Sequence, residues 1–330
     1  MTSFPIDPKR VLRWLVAVSA AYASCLAYAQ PAAHQVSLVV PYAPGGPSDA
    51  TARMIRPVFE KVLGKPTIVE NLAGAGGSIG AARALRAADG SVILIGSPNE
   101  VILAPIGLSS VKFKADDFRL VGTVGQVPYA LVGRADLPAR NLDELIAYAK
   151  SNAAKPLAYG SMGPGSLNHL ATEAFAEKTG IRLTHVPYKG GAPLIQDLVG
   201  GQIDFAFATL AGNVEGLIQT GKLKIYGVTT ATRTPKYKAW PTIAEHAGLN
   251  DFVYSIWVGP LVSKATPEPT VQKLSAALSE SLKDPEVQKG LSDAGLVEPS
   301  IANLEKANNY YRSEINKFRH TAESLKIAPQ

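Results

Sequence analysis

Apolar and polar positions change period along this chain in an orderly way. Val36–Val40 is a continuous apolar run, and from Ser48 the spacing turns helical, with Met54, Val58 and Val62 on one face beside Ile55 and Phe59. Gly64 followed by Pro66 supplies the stop. The junction Pro41-Tyr42-Ala43-Pro44-Gly45-Gly46-Pro47-Ser48-Asp49 therefore reads as strand end, glycine turn and helix start. Ser48 is the expected N-cap, and Asp49 falls in the first turn, where its charge suits the helix dipole. Pro57 inside the pattern predicts a kink or a distorted turn, because it removes a ladder hydrogen bond.

The same sequence of signals recurs. Residues 67–70 read as a strand, 71–78 as a second glycine turn, 81–87 as a helix and Val92–Gly96 as a buried strand, which is the βαβαβ grammar of a parallel sheet. A polar connection at 112–117 leads into extended chain at 121–132 and an amphipathic helix at 141–150. Residues 157–160 run into the turn 161–166 and a helix bearing Leu170, Ala171, Ala174 and Phe175, stopped by Gly180. Residues 184–188 run into the fourth turn, 189–193, and Gly200-Gly201 leads to a strand at 203–208. Beyond lie a strand at 224–229, a loop and helix at 235–246, an extended segment at 252–258, and helices at 269–283, Pro285–Asp293 and 302–325. Ligands of open α/β sheets sit at the carboxyl ends of strands, so four glycine turns, two in each half, predict two lobes facing one cleft. The crossover back to the first lobe falls near 254–258.

The N-terminus changes this picture. Lys9, Arg10 and Arg13 precede an apolar run at 14–28, and Ala27-Tyr28-Ala29 is an A-x-A cleavage site before Gln30. This predicts a cleaved signal peptide over residues 1–29 and hence export. Cys25 raises the rival of a lipoprotein signal, against which Tyr22 stands where such a signal resembles Leu. Cleavage removes the only cysteine and leaves 301 of the 330 residues, a length that suits two domains. The leader carries three bases and one acid, which takes the formal charge from +6 to +4. So mild an excess, without Lys/Arg clusters, argues against nucleic acid, and no later segment reads as membrane-spanning.

Chemistry is carried by the turns. Paired glycines let backbone N–H groups approach a ligand without Cβ interference, and a helix N-terminus adds unpaired N–H groups and partial positive charge, so such a turn can hold an anion without Lys or Arg. Gly76-Gly77-Ser78-Ile79-Gly80 matches the G-x-S-x-G hydrolase elbow in letters, but the strand at 67–70 ends too early to place Ser78 on a strand-to-helix turn. The dinucleotide fingerprint lacks a glycine at Ile79, and metal-ligand spacing is absent. His169 either faces the cleft or is a satisfied surface residue. Asp49 would repel an anion and reads better as an orienter of its loop; Lys189 reads as solvated.

The motifs together resemble a family. Residues 39–49, Val69-Glu70-Asn71 with Gly74-Ala75-Gly76-Gly77, Ala88-Asp89-Gly90, Val186-Pro187-Tyr188-Lys189-Gly190, Gly200-Gly201-Gln202-Ile203-Asp204 and Pro241-Thr242-Ile243-Ala244-Glu245 are similar, in order and spacing, to the signatures of the tripartite tricarboxylate transporter receptors, or Bug proteins. The resemblance runs from about Val36 to Leu325. It implies a two-lobed α/β periplasmic binding protein of the Venus-flytrap, type II-like kind. Each lobe would be a mostly parallel sheet flanked by helices, with two crossover strands as hinge. Lobe 1 would be 30–128 with 255–330, and lobe 2 would be 129–254. It implies a monomeric receptor without cofactor or catalysis that holds a small organic acid through backbone amides and waters and delivers it to a membrane permease. A ligand-presenting partner of a sensor kinase would look the same. Carried over by position, the first-lobe contacts are Tyr42, Ala43, Gly45, Gly46, Ser48, Asp49 and Ala75, and the second-lobe contacts Gly163, Gly165, Ser166, His169, Tyr188 and Asp204. Ala208 stands where members often have Asp, the natural partner of a ligand amino group, and 262–267 departs from the usual Ala-Pro-x-Gly-Thr-Pro.

Overall fold

Five consecutive buried side chains make Val36–Val40 (β1) a central strand, and it pairs in parallel with Thr67–Asn71 (β2) on one side and Val92–Gly96 (β3) on the other. The computed structural model describes residues 35–325 apart from 189, 211–212 and 298–299, so the leader, Cys25 and Lys189 lie outside the described residues. Helices Pro47–Leu63 (α1) and Ser78–Leu85 (α2) make the two crossovers. The start of α1 differs from expectation. Gly46 is the N-cap, Pro47 takes the first helical position and Ser48 lies inside the helix, because the fixed φ of proline is already helical there. The helix is continuous through Pro57 and ends at Gly64, whose φ of 65° lets its N–H reach the Glu60 carbonyl.

After β3 the chain makes a π-helical turn, Asn99–Leu103, and the short helix Ala104–Gly107 (α3). Phe118–Leu120 (β4) lies just before the stretch read as extended at 121–132, and within that stretch the strand Gly125–Arg134 (β5) begins only at Gly125. Asn141 caps Leu142–Ser151 (α4) by accepting the Glu144 N–H. Then come Leu157–Ser161 (β6), Leu167–Thr179 (α5), Leu183–Pro187 (β7), Gly191–Val199 (α6), Phe205–Thr209 (β8), Val214–Gln219 (α7) and Leu223–Val228 (β9). Ser255–Ser263 (β10) returns to the first strands, and Glu268–Ser281 (α8), Pro285–Asp293 (α9) and Leu304–Ser324 (α10) complete the chain.

The strand order is β2-β1-β3-β10-β5-β8-β6-β7, with β4 also on β10 and β9 also on β5. The fold is thus a two-lobed α/β arrangement joined through two long strands. β5 pairs with β10 from Gly125 to Pro128 and with β8 from Tyr129 onward. Thr229, fully buried, ties this junction together: its N–H donates to the Tyr129 carbonyl and its own carbonyl accepts the Tyr254 N–H, while its hydroxyl accepts from the Tyr129 N–H. Trp257 of β10 is fully buried, and Tyr311 of α10 meets it edge-on at 5.9 Å between ring centres. Phe175, Phe207 and Phe252 form a second aromatic cluster at ring distances of 5.5 to 6.0 Å.

Candidate functional site

The first glycine turn is held by one carboxylate. Asp49, buried in the first turn of α1, accepts the Gly45 N–H at 3.0 Å, the Asn71 amide at 3.0 Å and the Arg53 guanidinium at 3.0 Å. The second Asn71 hydrogen bond goes to the Tyr42 carbonyl at 3.1 Å, so β2 and the turn are locked side by side. Burial opposes the charge on Asp49, but the hydrogen bonds from Arg53, Asn71 and Gly45 outweigh it and hold the carboxyl below its usual range. The loop role expected for Asp49 is the one its geometry serves.

Beneath Tyr42 lies a group that sequence reading missed. Glu100, fully buried on the π-helical turn, accepts the Tyr42 hydroxyl at 2.6 Å, the Ser97 hydroxyl at 2.8 Å and the Ser97 N–H. Burial pushes its carboxyl up to about 7, against the lowering effect of the Tyr42 and Ser97 hydrogen bonds. The second glycine turn packs on it: a Cβ at Gly77 would stand 2.8 Å from Glu100 Cβ and 3.2 Å from Pro41 Cβ. Gly74, Ala75, Gly76 and Gly77 all have positive φ, at 133°, 45°, 63° and 89°. For Ala75, exposed, this is backbone strain of the kind that collects at ligand sites.

Across the cleft, Gly165 has φ 75° and donates its N–H to His169 Nδ1 at 3.2 Å. His169 lies 4.5 Å from His185 and stacks with Tyr159, and His185 Nε2 is 2.7 Å from Ser161 Oγ. Burial depresses both imidazoles, His185 further by its neighbour His169 and down to about 4, so both rings are neutral at pH 7. The Ser–His contact is structural, since Ser161 is fully buried and also holds the Gly163 N–H at 3.1 Å. Ser166 turns its hydroxyl to the Gly163 carbonyl, and Tyr188 donates its N–H to the Ser161 carbonyl and its hydroxyl to Asp197.

The two lobes meet here. A Cβ on Gly107 would stand 2.9 Å from Gly165 Cα, and the Leu167 N–H donates to Asn99 Oδ1 at 3.3 Å. The structure thus brings together 42–49, Ala75, 163–169 and Tyr188, but not Asp204. That residue precedes β8, at the end of the sheet opposite the turns, where Arg134 and the Ala158 N–H take its oxygens at 3.0 and 2.7 Å. Five strand residues separate the two ends, about 16 Å at strand rise.

Comparison with known proteins agrees with this architecture. A family model described as the tripartite tricarboxylate transporter family receptor matches residues 51–326. The chain belongs to that receptor family. BugT of Bordetella pertussis is 32% identical over 301 residues, covering 89% of this chain and 91% of BugT. Among solved structures, R. palustris Rpa4515 with adipate is 30% identical with a TM-score of 0.80, covering 90% of this chain and 98% of that one. MatC of Rhodopseudomonas palustris with bound malate is 31% identical with a TM-score of 0.74, covering 87% and 98%. The receptor is accordingly a solute-binding protein of a periplasmic family. Among its described residues no helix is long and apolar enough to cross a membrane.

The receptor's missed residues left different traces. Glu100 is a lone acid before the apolar stretch Val101 to Ala104, a signal that could have been read. Asn99, Gly107 and His185 carried none, because only the tertiary fold sets them beside the turns.

Proposed function

We propose that the receptor captures a small organic carboxylate between its lobes and hands it to the membrane permease of a tripartite tricarboxylate-type transporter after export of the chain across the inner membrane. The lobes would divide as 36–128 with 255–325 against 129–254. The observation that carries this reading is the pairing of two glycine turns, each opening a helix, on opposite walls of one cleft, neither containing Lys or Arg. The Gly45 and Gly165 N–H groups are already taken by Asp49 and His169. The ligand therefore falls to the N–H of Gly46 and to the first-turn N–H groups of Ser48, Asp49, Asn168 and His169, since Pro47 has none and Leu167 donates to Asn99. Adipate and malate in the related structures support a carboxylate. A melting screen of the purified protein against mono-, di- and tricarboxylates tests it: an acid at 100 times its Kd should add about 2.7 kcal/mol of stability. Absence of any shift across the panel would sink the proposal.

A further inference from the structure

One buried carboxyl in the wall of the first lobe is held by neutral donors alone. Glu100 is 0% exposed, and it accepts from the Tyr42 hydroxyl at 2.6 Å, the Ser97 hydroxyl at 2.8 Å and the Ser97 N–H. Three segments close on it. Tyr42 follows β1, Gly96 and Ser97 stand at the end of β3, and Gly77 belongs to the second glycine turn. A Cβ would stand 2.6 Å from Glu100 Oε1 at Gly96 and 3.3 Å from the Tyr42 hydroxyl at Gly77. Its neighbour Asn99 reaches the Leu167 N–H of the opposite lobe at 3.3 Å. One side chain therefore underlies both glycine turns of the wall and sits on the π-helical turn that meets the other lobe, a distortion that recurs at functional sites. The titratable groups around it bring no positive charge. Tyr42, backed by Tyr129, and Tyr311 of α10 are phenols that burial pushes up and keeps neutral. The second glycine turn and α3 carry no titratable side chain, and Arg83 of α2 is exposed to solvent. Asp49 on the same wall is the contrast, because Arg53 and Asn71 hold its charge.

We propose that Glu100 is the positioning residue of the first-lobe wall and that it takes up one proton from solvent as the receptor binds its carboxylate ligand. An anion at the α1 N-terminus adds a second negative charge to this wall. The repulsion is relieved at the carboxylate that has no cation, which is Glu100 and not Asp49. The proton joins a Glu100 oxygen, and the carboxyl O–H then donates to the Tyr42 or Ser97 hydroxyl. A hydroxyl donates or accepts, so the same packing serves both states. Burial already sets this carboxyl at about 7, where a nearby anion is enough to tip it. The inference rests on the carboxylate reading above and adds to it a proton that binds with the ligand.

Calorimetry tests it with whichever of succinate, L-malate, adipate or benzoate raises the wild-type melting temperature. Each acid is ionised at about pH 7.5, so a proton taken up there goes to the protein. Titrations in phosphate and in Tris at that pH differ in heat by the protons bound times the difference in buffer ionisation heat. Wild type should take up about half a proton or more per ligand, and its Kd should weaken severalfold from about pH 7 to about pH 8.5. Glu100→Gln mimics the neutral carboxyl. It should show no uptake, a Kd that stays constant over this range, and tighter binding than wild type at about pH 8.5. Glu100→Ala removes the acceptor of both hydroxyls and should weaken Kd about tenfold at each pH. A wild type that responds to none of the acids overturns the carboxylate reading and this inference with it. A response with equal heats in the two buffers overturns the proton uptake and leaves the receptor reading standing. Uptake that persists in Glu100→Gln places the proton on another group and overturns the role of Glu100, and wild-type affinity in Glu100→Ala overturns the positioning. Where circular dichroism shows Glu100→Gln unfolded, the wild-type profile decides: a Kd constant over the same pH range overturns the inference.

Discussion

The two turns that face each other across the cleft use one geometric device with two different acceptors. In each, a glycine of positive φ gives its N–H to the side chain four residues on, inside the first turn of the next helix: Gly45 to Asp49, Gly165 to His169. Asp49 is a buried carboxylate with three donors on it; His169 is a neutral imidazole in a stack with Tyr159 and His185. The first wall is therefore rigid and charged, and the second is held by a group that protonation can remove. A binding site of two moving lobes needs both walls ordered, but it does not need them ordered with equal strength.

The largest test of that contrast removes each acceptor. Asp49→Ala leaves the Gly45 N–H, the Asn71 amide and the Arg53 guanidinium without their shared acceptor and should cost about 3 kcal/mol in urea unfolding, whereas His169→Ala loses one neutral hydrogen bond and ring contacts, about 1 to 2 kcal/mol. Equal losses would break the comparison.

Next in size is the glycine pair of the second turn. Gly163 and Gly165 both have positive φ, so alanine at either adds about 1 to 2 kcal/mol of strain. Around Gly163 nothing lies within 4 Å, but a Cβ on Gly165 meets Gly107 Cα at 2.8 Å. Gly165→Ala should therefore raise the radius of gyration in solution scattering by forcing the lobes apart, and Gly163→Ala should leave it unchanged.

Lowering the pH sharpens the contrast without mutation. The folded values of His169 and His185 lie below the usual histidine range, so the unfolded chain binds protons first. Their contribution is complete above about 6.5 and is lost as pH falls toward about 4, where His185 titrates. Asp49 also has a lowered folded value, but its window lies further down: its contribution persists until pH falls below the ordinary carboxylate range. Hydrogen exchange, corrected for its intrinsic pH dependence, should therefore quicken at 161–170 between pH 6.5 and 4.5 while 42–50 stays protected. Parallel loosening of both segments would contradict the assignment.

The smallest effect on folding belongs to Gly46→Ala. With φ −87° and nothing within 4 Å, the site accepts a Cβ, and stability should change by less than about 0.5 kcal/mol. Carboxylate binding should nonetheless weaken, measured by calorimetry, because the methyl group enters the open approach to the α1 N-terminus. Unchanged affinity would move the ligand away from this wall.

Much of this site was legible in the chain. Apolar runs ending in glycine turns marked the strand ends of β1, β2, β6 and β7, and the switch to helical spacing marked the helix after β1, β2 and β6, since both signals are local. Ser48 was misread as a cap because Ser and Pro compete at a helix start and only the backbone shows that Pro47 entered first. Asp204 was misplaced because strand order and direction, not sequence neighbourhood, decide which end of a strand faces the cleft.

The sequence by itself determined the repeated strand, turn and helix units and the absence of a cationic side chain from the two facing turns. Those come from period, glycine placement and residue type, which need no partner. The tertiary structure decided which amides remain free, because Asp49 and His169 claim two of them. It also decided that Glu100 meets Tyr42 and Asn99 meets Leu167, because the π-helical turn brings together residues 58 and 68 positions apart in sequence. Contacts of that range are fixed by how sheets stack and cross, and no local pattern records them.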